Sequence, residues 1–289
     1  MNPLPDIDFA RRWRRIVEER ARQTEAAYAR LGRSTGDYWE RRASRFAAFS
    51  REARMQDPFL EKVRAHVDAQ STALDVGAGT GRHAVPLARA VRRVVAVEPS
   101  KAMASHLRAW AKEEADARRG LRNIRVVAGT WPDVEVPACD VVLCSHVMYP
   151  IADIVPFVRK LDEKAKRYVF LWLHQEQMAL EALGLWEVFH GEPRARQPTV
   201  FDAIPVLWQM GLRPNVEMSV IPQAWSWETL DEAVENVRET LALPEDPDTD
   251  ARLRDELSRL LVERDPDGRG GRLWHPQSEY RSAIVWWGK

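Results

Sequence analysis

The stretch that decides the fold is Leu74–His83, LDVGAGTGRH. A run of apolar residues ends at Asp75, and glycines follow at three alternate positions, 77, 79 and 81. A backbone needs glycine where it adopts a positive φ angle or passes very close to a ligand, because glycine has no Cβ. The residues after the glycines are compatible with a helix. The pattern therefore predicts a strand, a tight turn that approaches a ligand, and then a helix.

The glycine spacing separates this turn from the dinucleotide-binding fingerprint, which is G-x-G-x-x-G/A. In that fingerprint the third small residue lets the helix pack closely on the strand. Counted from Gly77, the third position is Arg82, whose side chain is too large for that role. A nucleotide-dependent oxidoreductase is therefore a disfavoured alternative.

The turn resembles motif I of the class I S-adenosylmethionine-dependent methyltransferases, D/E-x-G-x-G-x-G, with Asp75 at the acidic position. The resemblance covers residues 72–173 well and the rest of the chain in outline. In this family the turn wraps the methionine part of the cofactor, and N–H groups at the next helix start suit the cofactor's carboxylate. The resemblance implies S-adenosyl-L-methionine as the cofactor and S-adenosyl-L-homocysteine as its product.

The resemblance also implies which residues bind this cofactor. Glu98 takes the acidic position that binds both ribose hydroxyls, since a carboxylate accepts two hydrogen bonds side by side. Thr130 departs from the acid that relatives often have there, and Asp133 is a candidate replacement. Trp131 either stacks on the adenine or belongs to the core. The predicted cofactor-binding residues are Asp75, Gly77, Gly79, Thr80, Gly81, Glu98, Ser100, Met103, Thr130, Trp131 and Ser145.

Alternating strands and helices in the middle of the chain predict a parallel sheet that helices cover on both faces. With the two final strands that the resemblance implies, we predict an α/β fold with a doubly wound, mostly parallel seven-stranded Rossmann-like sheet. A helical cap would span residues 1–70, and the methyltransferase domain 71–289. Its cofactor half is 71–175 and its acceptor-side half 176–289, with a helical insertion at about 222–280, before the last strand. The predicted strands are Thr72–Val76, Val94–Val97, Ile124–Val127, Val141–Cys144, Tyr168–Leu173, Asn215–Ile221 and Arg281–Trp287, and the main helices lie near 82–90, 101–117, 151–165, 175–186 and 200–210.

Three residues are candidates for a catalytic base. Methyl transfer from a sulfonium is an in-line displacement, in which holding donor and acceptor in line supplies much of the acceleration. A base is needed only where the acceptor carries a proton at the moment of attack. His146 is the first candidate because imidazole titrates near neutrality, followed by His174 and Tyr149. The alternative for each is a structural side chain. No spacing typical of a zinc or iron site is present, so no metal is predicted.

The acceptor is predicted to be a small or mid-sized, partly apolar molecule. The sequence lacks the N/D-P-P-Y/F motif and the Pro-Cys nucleophile, which removes several classes of macromolecular acceptor. Two alternatives stay open: a tRNA or protein acceptor, because the N-terminal helices are basic, and a non-catalytic S-adenosylmethionine-binding regulatory protein. Tryptophans in the last third fit either an aromatic pocket wall or the core, namely Trp186, Trp208, Trp225, Trp227 and Trp274.

Composition favours a cytoplasmic enzyme without a membrane partner. The 43 basic and 43 acidic residues balance, so no global field favours nucleic acid or an anionic membrane. No apolar run approaches the ~20 residues of a membrane helix, and the N-terminus lacks the apolar segment of a secretory signal. The oligomeric state is left open.

The flanks of the core motifs are expected to form a lid. The N-terminal helices, with Trp13, Tyr38 and Trp39, and the insertion at 222–280 would close over the cofactor and shape the acceptor pocket. His146 would then lie beneath them.

Overall fold

The computed structural model describes residues 7–52, 57–118, 122–177, 183–222, 226–264, 271–277 and 279–289, without the side chains of residues 37–39, 41, 48, 49 and 52. Tyr38 and Trp39 of the predicted lid therefore have no described side chains, and Trp225 lies outside the described residues. None of the described helices is both long enough and apolar enough to cross a membrane.

One large sheet organises the chain. Its strand order is β3-β2-β1-β4-β5-β10-β6, a seven-stranded sheet. The first five strands run parallel, and β10 pairs antiparallel with both β5 and β6. The seven strands are β1 Thr72–Val76, β2 Arg93–Val97, β3 Ile124–Val127, β4 Cys139–Ser145, β5 Ala165–His174, β6 Asn215–Pro222 and β10 Glu279–Gly288. The predicted mostly parallel seven-stranded sheet is confirmed.

The helices lie between and before these strands. Their bounds are α1 Phe9–Arg30, α2 Tyr38–Glu52, α3 Pro58–Arg64, α4 Ala84–Leu87, α5 Lys101–Arg118, α6 Ile154–Lys164, α7 Leu185–His190, α8 Val200–Gln209, α9 Leu230–Thr240 and α10 Pro247–Leu260. Of the helix predicted near 175–186, residues 178–182 lie outside the described residues; residues 175 and 176 form a bend, and α7 begins at Leu185, after Gly184, whose φ is +69°. The helix predicted near 82–90 is limited to α4, the rest being turns.

Helices cover the sheet on both faces because the strands are apolar on both sides. Along β1, Leu74 belongs to one buried cluster and its neighbour Ala73 to the other. The first cluster holds α6, α8 and the start of α1, with Phe157, Val206 and Trp13 buried in it. The second holds α3 and α4, with Phe59 and Leu87. This is the doubly wound arrangement that the alternation of elements predicts.

The segment between β6 and β10 contains more than helices. Besides α9 and α10 it forms a three-stranded antiparallel sheet in the order β7-β9-β8, from Ser226–Trp227, Arg272–Trp274 and Val262–Arg264. These short strands were not predicted. A third buried cluster joins the helices of this segment to Tyr28 of α1 and to Trp186 of α7.

The three N-terminal helices take different positions. The Trp13 indole of α1 donates to the carbonyl of Ile151 at 2.7 Å and is fully buried against the sheet's first cluster. Helix α3 begins as its sequence predicts, with Asp57 as N-cap accepting from the Leu60 N–H at 2.9 Å and Pro58 following. Helix α2 lies between α5 and α9, to which ion pairs connect it.

Candidate active site

The predicted glycine turn, residues 77–81, leaves β1 with three positive φ angles. They are +74° at Gly77, +56° at Gly79 and +97° at Gly81. Residues with a Cβ rarely adopt such angles, so the path of the backbone favours glycine at all three positions. The turn is fixed to β2, since the N–H groups of Gly77 and Ala78 both donate to the carbonyl of Val97, at 2.9 and 3.0 Å.

The three glycines differ in what surrounds them. A Cβ on Gly77 would lie 2.3 Å from a methyl of Val147, and one on Gly81 would lie 2.9 Å from a methyl of Val85. The protein itself therefore excludes a side chain at both positions. A Cβ on Gly79 would lie 3.5 Å from its nearest neighbour among the described residues, the methyl of Met103. Gly79 is thus the member of the turn with room beside it for a ligand.

Glu98 lies at the end of β2, beside this turn. Its Oε2 accepts the Gly79 N–H at 2.8 Å, and its Oε1 accepts the Ser100 N–H at 2.9 Å. Burial raises the pKa of Glu98, while these two backbone hydrogen bonds act in the opposite direction. Each carboxylate oxygen can accept a second hydrogen bond. The carboxylate is therefore held in place with acceptor capacity left for two hydroxyls.

Asp75 lies directly before the turn and is almost fully buried. Burial raises its pKa to about 6, and a hydrogen bond from the Ala84 N–H opposes that shift. Its Oδ2 has no hydrogen-bond partner among the described residues. Asp75 therefore connects the end of β1 to the first turn of α4.

Helix α2 lies over the other predicted residues of the cofactor side. The Thr80 hydroxyl donates to Ser50 of α2 at 2.9 Å, and both side chains are buried. The Ser100 hydroxyl donates to Glu40 of α2 at 3.0 Å. Met103 is buried next to Gly79. These residues lie together around the turn, and the sequence analysis did not predict α2 as their partner.

Of the predicted site residues that directly follow β3, one lies in the core and the others are exposed. The Trp131 indole donates to the carbonyl of Phe157 at 3.1 Å, and its ring packs in the first core cluster. Of the two alternatives for Trp131, a position in the core is the one observed. Thr130 and Asp133 are exposed, and Ser145 is half-buried at the end of β4.

The three predicted base candidates meet at the ends of β4 and β5. The rings of His146 and His174 stack with centroids 4.1 Å apart. The Tyr149 hydroxyl lies 2.9 Å from Nδ1 of His146 and accepts the His174 N–H at 2.8 Å. His146 has a φ of +56°, which costs a non-glycine residue conformational energy. A strained residue inside a polar cluster is typical of a functional site.

Burial keeps this cluster uncharged. Desolvation lowers the pKa of His146 well below its usual value and that of His174 to about 4, and the charge of Arg82 acts in the same direction. Desolvation also raises the pKa of Tyr149 well above its usual value. At neutral pH the cluster therefore holds two neutral imidazoles and a neutral phenol.

A second group of residues beside the histidines was missed by the sequence analysis. Arg82 and His83 both lie on the carboxylate of Asp57, at 3.0 and 3.2 Å. The Arg82 guanidinium also lies 4.9 Å from the centroid of the Trp172 ring, and Phe59 stacks on the same ring with centroids 5.3 Å apart. Desolvation opposes ionisation of Asp57, yet His83 and Arg82 hold its pKa well below its usual range. The Asp-Pro helix start was visible in the sequence, but its pairing with Arg82 was not.

The tryptophans of the last third serve mainly as core. Trp186 and Trp227 are buried in the third cluster, and Trp274 is half-buried in the small sheet. Trp208 is exposed on α8. The core alternative therefore accounts for the buried pair.

Comparisons with known proteins agree with this geometry. Residues 73–166 match the family described as methyltransferase domain. The structure of the YcgJ protein from Bacillus subtilis is similar, with a TM-score of 0.53 at 16% identity over 80% of this chain and 97% of that one. A presumed methyltransferase from Bacillus halodurans has a TM-score of 0.50 at 16% identity, over 80% of this chain and 96% of its own. The predicted resemblance to the class I S-adenosylmethionine-dependent methyltransferases, and the predicted fold, are confirmed.

A curated relative leaves the activity open. An uncharacterised protein of Haemophilus influenzae is 25% identical over 225 residues, which cover 77% of this chain and 78% of that protein. The family that matches residues 73–166 uses the cofactor predicted from the glycine turn, S-adenosylmethionine. Residues 73–166 therefore resemble a methyltransferase domain, and the comparisons do not identify an acceptor.

Proposed function

We propose that this protein is an S-adenosylmethionine-dependent methyltransferase that transfers a methyl group to a small or mid-sized, partly apolar acceptor by in-line displacement. The observation that carries the proposal is the glycine turn, in which Gly79 has a φ of +56° and donates its N–H to the buried carboxylate of Glu98. The match of residues 73–166 to the methyltransferase family supports it independently.

The residues of the turn fit this cofactor. Gly79 offers open space beside the backbone, and Glu98 keeps a free acceptor site on each oxygen. Ser100 and Met103 begin the helix on the adenine side, and the turn itself would hold the methionine part. When bound, S-adenosylmethionine supplies a methyl group on a positively charged sulfur, which is a good leaving group.

The chain's own residues provide the acceptor side. His146 and His174 lie at the carboxyl ends of β4 and β5, one and two strands away from β1 and its glycine turn. Ligands of such sheets bind outside these ends. Aromatic rings with few polar groups suit a partly apolar small molecule. The ring stack of His146 on His174 and the indole of Trp172 beside it give the site this character.

Ligand binding and methyl transfer test the proposal separately. Calorimetry with S-adenosylhomocysteine should give one site per chain, and NAD should give none. A screen with S-adenosylmethionine labelled in its methyl group, against a whole extract of bacterial cells that retains RNA, protein and small molecules, should then yield a labelled small molecule. Binding without transfer to any acceptor would favour the regulatory alternative, and label recovered in RNA or protein would favour a macromolecular acceptor.

A further inference from the structure

The proton positions around Tyr149 follow from counting donors and acceptors. The His174 N–H can only donate, so at 2.8 Å the Tyr149 oxygen accepts from it. The same oxygen lies 2.9 Å from Nδ1 of His146 and has one proton to give. If that proton goes to Nδ1, every polar group between the three residues is satisfied. His146 then carries its own proton on Nε2.

The reverse assignment leaves more groups unsatisfied. With the proton on Nδ1 of His146, the Tyr149 proton would have no acceptor in the described part of the chain, and the lone pair on Nε2 would have no donor. Burying an unsatisfied polar group costs about 1–3 kcal/mol, so two such groups are worse than one. Tyr149 therefore sets His146 as the Nε2–H tautomer, which donates a hydrogen bond and cannot accept a proton at that atom.

The Nε2–H of His146 is a donor that the protein leaves unused. His146 as a whole is half-buried, but its Nε2 atom is fully buried and has no hydrogen-bond partner among the described residues. The ring lies between those of Trp172 and His174, with centroids at 4.7 and 4.1 Å. Buried donors are nearly always paired in native proteins, and one without a partner calls for an explanation, such as a catalytic role or a bound water or ion.

The groups that face His146 include one cation, Arg82, whose ion-pair partner is Asp57. Arg82 and His83 face it from the residues after the glycine turn, His174 faces it from β5, and Asp57 of the α3 N-terminus pairs with the first two. No group in this set is placed to take a proton from an acceptor. The carboxylate of Asp57 is engaged with Arg82, and that of Asp75 bonds to the Ala84 N–H.

We propose, building on the proposed function, that the acceptor presents an oxygen that is already ionised, a carboxylate, and that the Nε2–H of His146 holds it. The lowered pKa values of His146 and His174 agree with an acceptor that needs no base, because they make both imidazoles weak bases. A carboxylate needs no base: an oxygen lone pair forms the new bond to the methyl carbon, the sulfur keeps the electron pair of the bond that breaks, and no proton is released. The product is a methyl ester.

The first experiment reads the tautomer directly. Long-range ¹H–¹⁵N correlation spectra of the ¹⁵N-histidine-labelled protein distinguish Nε2–H, Nδ1–H and imidazolium forms, and His146→Gln identifies the signal. His146 is expected as the neutral Nε2–H form at pH 7, and Tyr149→Phe should remove that preference. Tyr280→Phe is the control and should not, because its ring lies beside that of His174, with centroids 5.8 Å apart. An Nδ1–H or an imidazolium form of His146 in the wild-type protein would overturn the proposal, whether or not the protein is a methyltransferase.

The second experiment identifies the chemical class of the product. Methyl esters release methanol in mild alkali, whereas methylated amines, thiols and phenols do not, so the labelled products of the extract screen are treated with alkali and the volatile label is counted. Volatile label supports a carboxylate acceptor. Label that is stable to alkali overturns it while the proposed function stands, and label on no product contradicts the proposed function and this proposal with it.

Two variants separate a donor from a base at His146. Gln keeps an N–H donor but cannot act as a base, whereas Ala keeps neither. With the carboxylate acceptor found in the screen, His146→Ala should lower kcat/KM by about 10- to 100-fold, the range of one hydrogen bond to a charged group. His146→Gln should recover most of that loss, and the kcat/KM of the wild type should stay flat from pH 6 to pH 9. Equal losses in both variants, with a rate that rises with pH, would show a base instead.

Discussion

The carboxylate of Glu98 and the backbone N–H of Gly79 are joined by a hydrogen bond of 2.8 Å. It connects the end of β2 to the centre of the glycine turn at the end of β1. The residue proposed to bind the cofactor's ribose therefore also fixes the turn proposed for the methionine part. Two parts of one ligand would be recognised by groups that already hold each other in place.

Glu98→Ala should weaken S-adenosylhomocysteine binding by about 1.5–3 kcal/mol, the range for hydrogen bonds to a charged group. Calorimetry measures the affinity. Glu113→Ala is the matched control, because Glu113 is a half-exposed carboxylate on α5 that pairs with Arg51 at 2.9 Å. Unchanged affinity in Glu98→Ala would show that this carboxylate does not hold the ribose.

Gly79→Ala should reduce cofactor affinity far more than stability. The new methyl group would occupy the open space beside the turn, where its nearest protein atom is 3.5 Å away. Gly211→Ala is the control for backbone strain, since Gly211 has a φ of +85° and nothing within 4 Å of an added Cβ. Both variants should lose about 1 kcal/mol of unfolding free energy, but only Gly79→Ala should lose binding. Equal affinities in the two variants would contradict the assignment of Gly79.

Gly77→Ala should act on folding rather than on binding alone. Its Cβ would lie 2.3 Å from a methyl of Val147, which combines overpacking with the strain of a φ of +74°. We expect the free energy of unfolding to fall by about 2–4 kcal/mol in urea titrations. The double variant with Val147→Ala should recover part of this loss, and the absence of any recovery would show that Val147 is not the obstacle.

The stability of the protein should depend on His174 at acid pH. Its folded pKa is about 4, below its ordinary 6.5, so the unfolded chain binds the proton first as the pH falls. The stabilisation is present above pH 6.5 and is lost as the pH falls towards 4, by about 3 kcal/mol. His174→Gln should be less sensitive over that range in urea titrations at several pH values.

Asp75 changes the stability in the opposite direction as the pH falls, so its contribution must be separated from that of His174. Its folded pKa is raised to about 6, so its contribution to stability is present below its ordinary 3.8 and is lost as the pH rises through 6. The difference between wild type and His174→Gln cancels the Asp75 effect because both proteins retain Asp75. A difference that does not change between pH 7 and pH 4 would contradict the account of His174.

Helix α2 should be the part of the N-terminal region that responds to the cofactor. It bonds to Thr80 through Ser50 and to Ser100 through Glu40, while its ion pairs to α5 and α9 involve partly exposed side chains, which contribute little. Hydrogen exchange should show α2 more labile than the sheet and more protected with S-adenosylhomocysteine. Helix α1, held by the buried Trp13, is the internal control. Equal protection of α1 and α2 would rule out a lid formed by α2.

Much of the fold could be predicted because its signals are local. Near-continuous apolar strands such as 72–76 and 124–127 are bounded by turn residues, and the glycines at 77–81 determine the path between β1 and α4. Glu98 could be placed because it ends a strand next to the one that leads into the turn. In each case a few consecutive residues carry the information.

The rest depends on contacts between distant residues. Arg82 pairs with Asp57, which lies 25 positions earlier, and Ser50 meets Thr80 across 30 positions. The local sequence also predicted a helix near 175–186, whereas the Gln175 N–H donates to the carbonyl of Arg281 at 3.0 Å and so extends the pairing of β5 with β10. His146, Tyr149 and His174 meet because β4 and β5 are neighbours in the sheet. The position of the Tyr149 proton, in contrast, can be assigned only from the distances of the Tyr149 oxygen to His146 and His174.

Isothermal calorimetry of the full chain, with S-adenosylhomocysteine and with NAD, tests whether the glycine turn binds S-adenosylmethionine. One S-adenosylhomocysteine should bind per chain, the Gly79→Val variant should lose that binding while keeping the circular dichroism spectrum of the wild type, and NAD should not bind. Ligand at 100-fold its dissociation constant should also stabilise the wild type by about 2.7 kcal/mol. Tighter binding of NAD, or no binding of S-adenosylhomocysteine, would contradict the account.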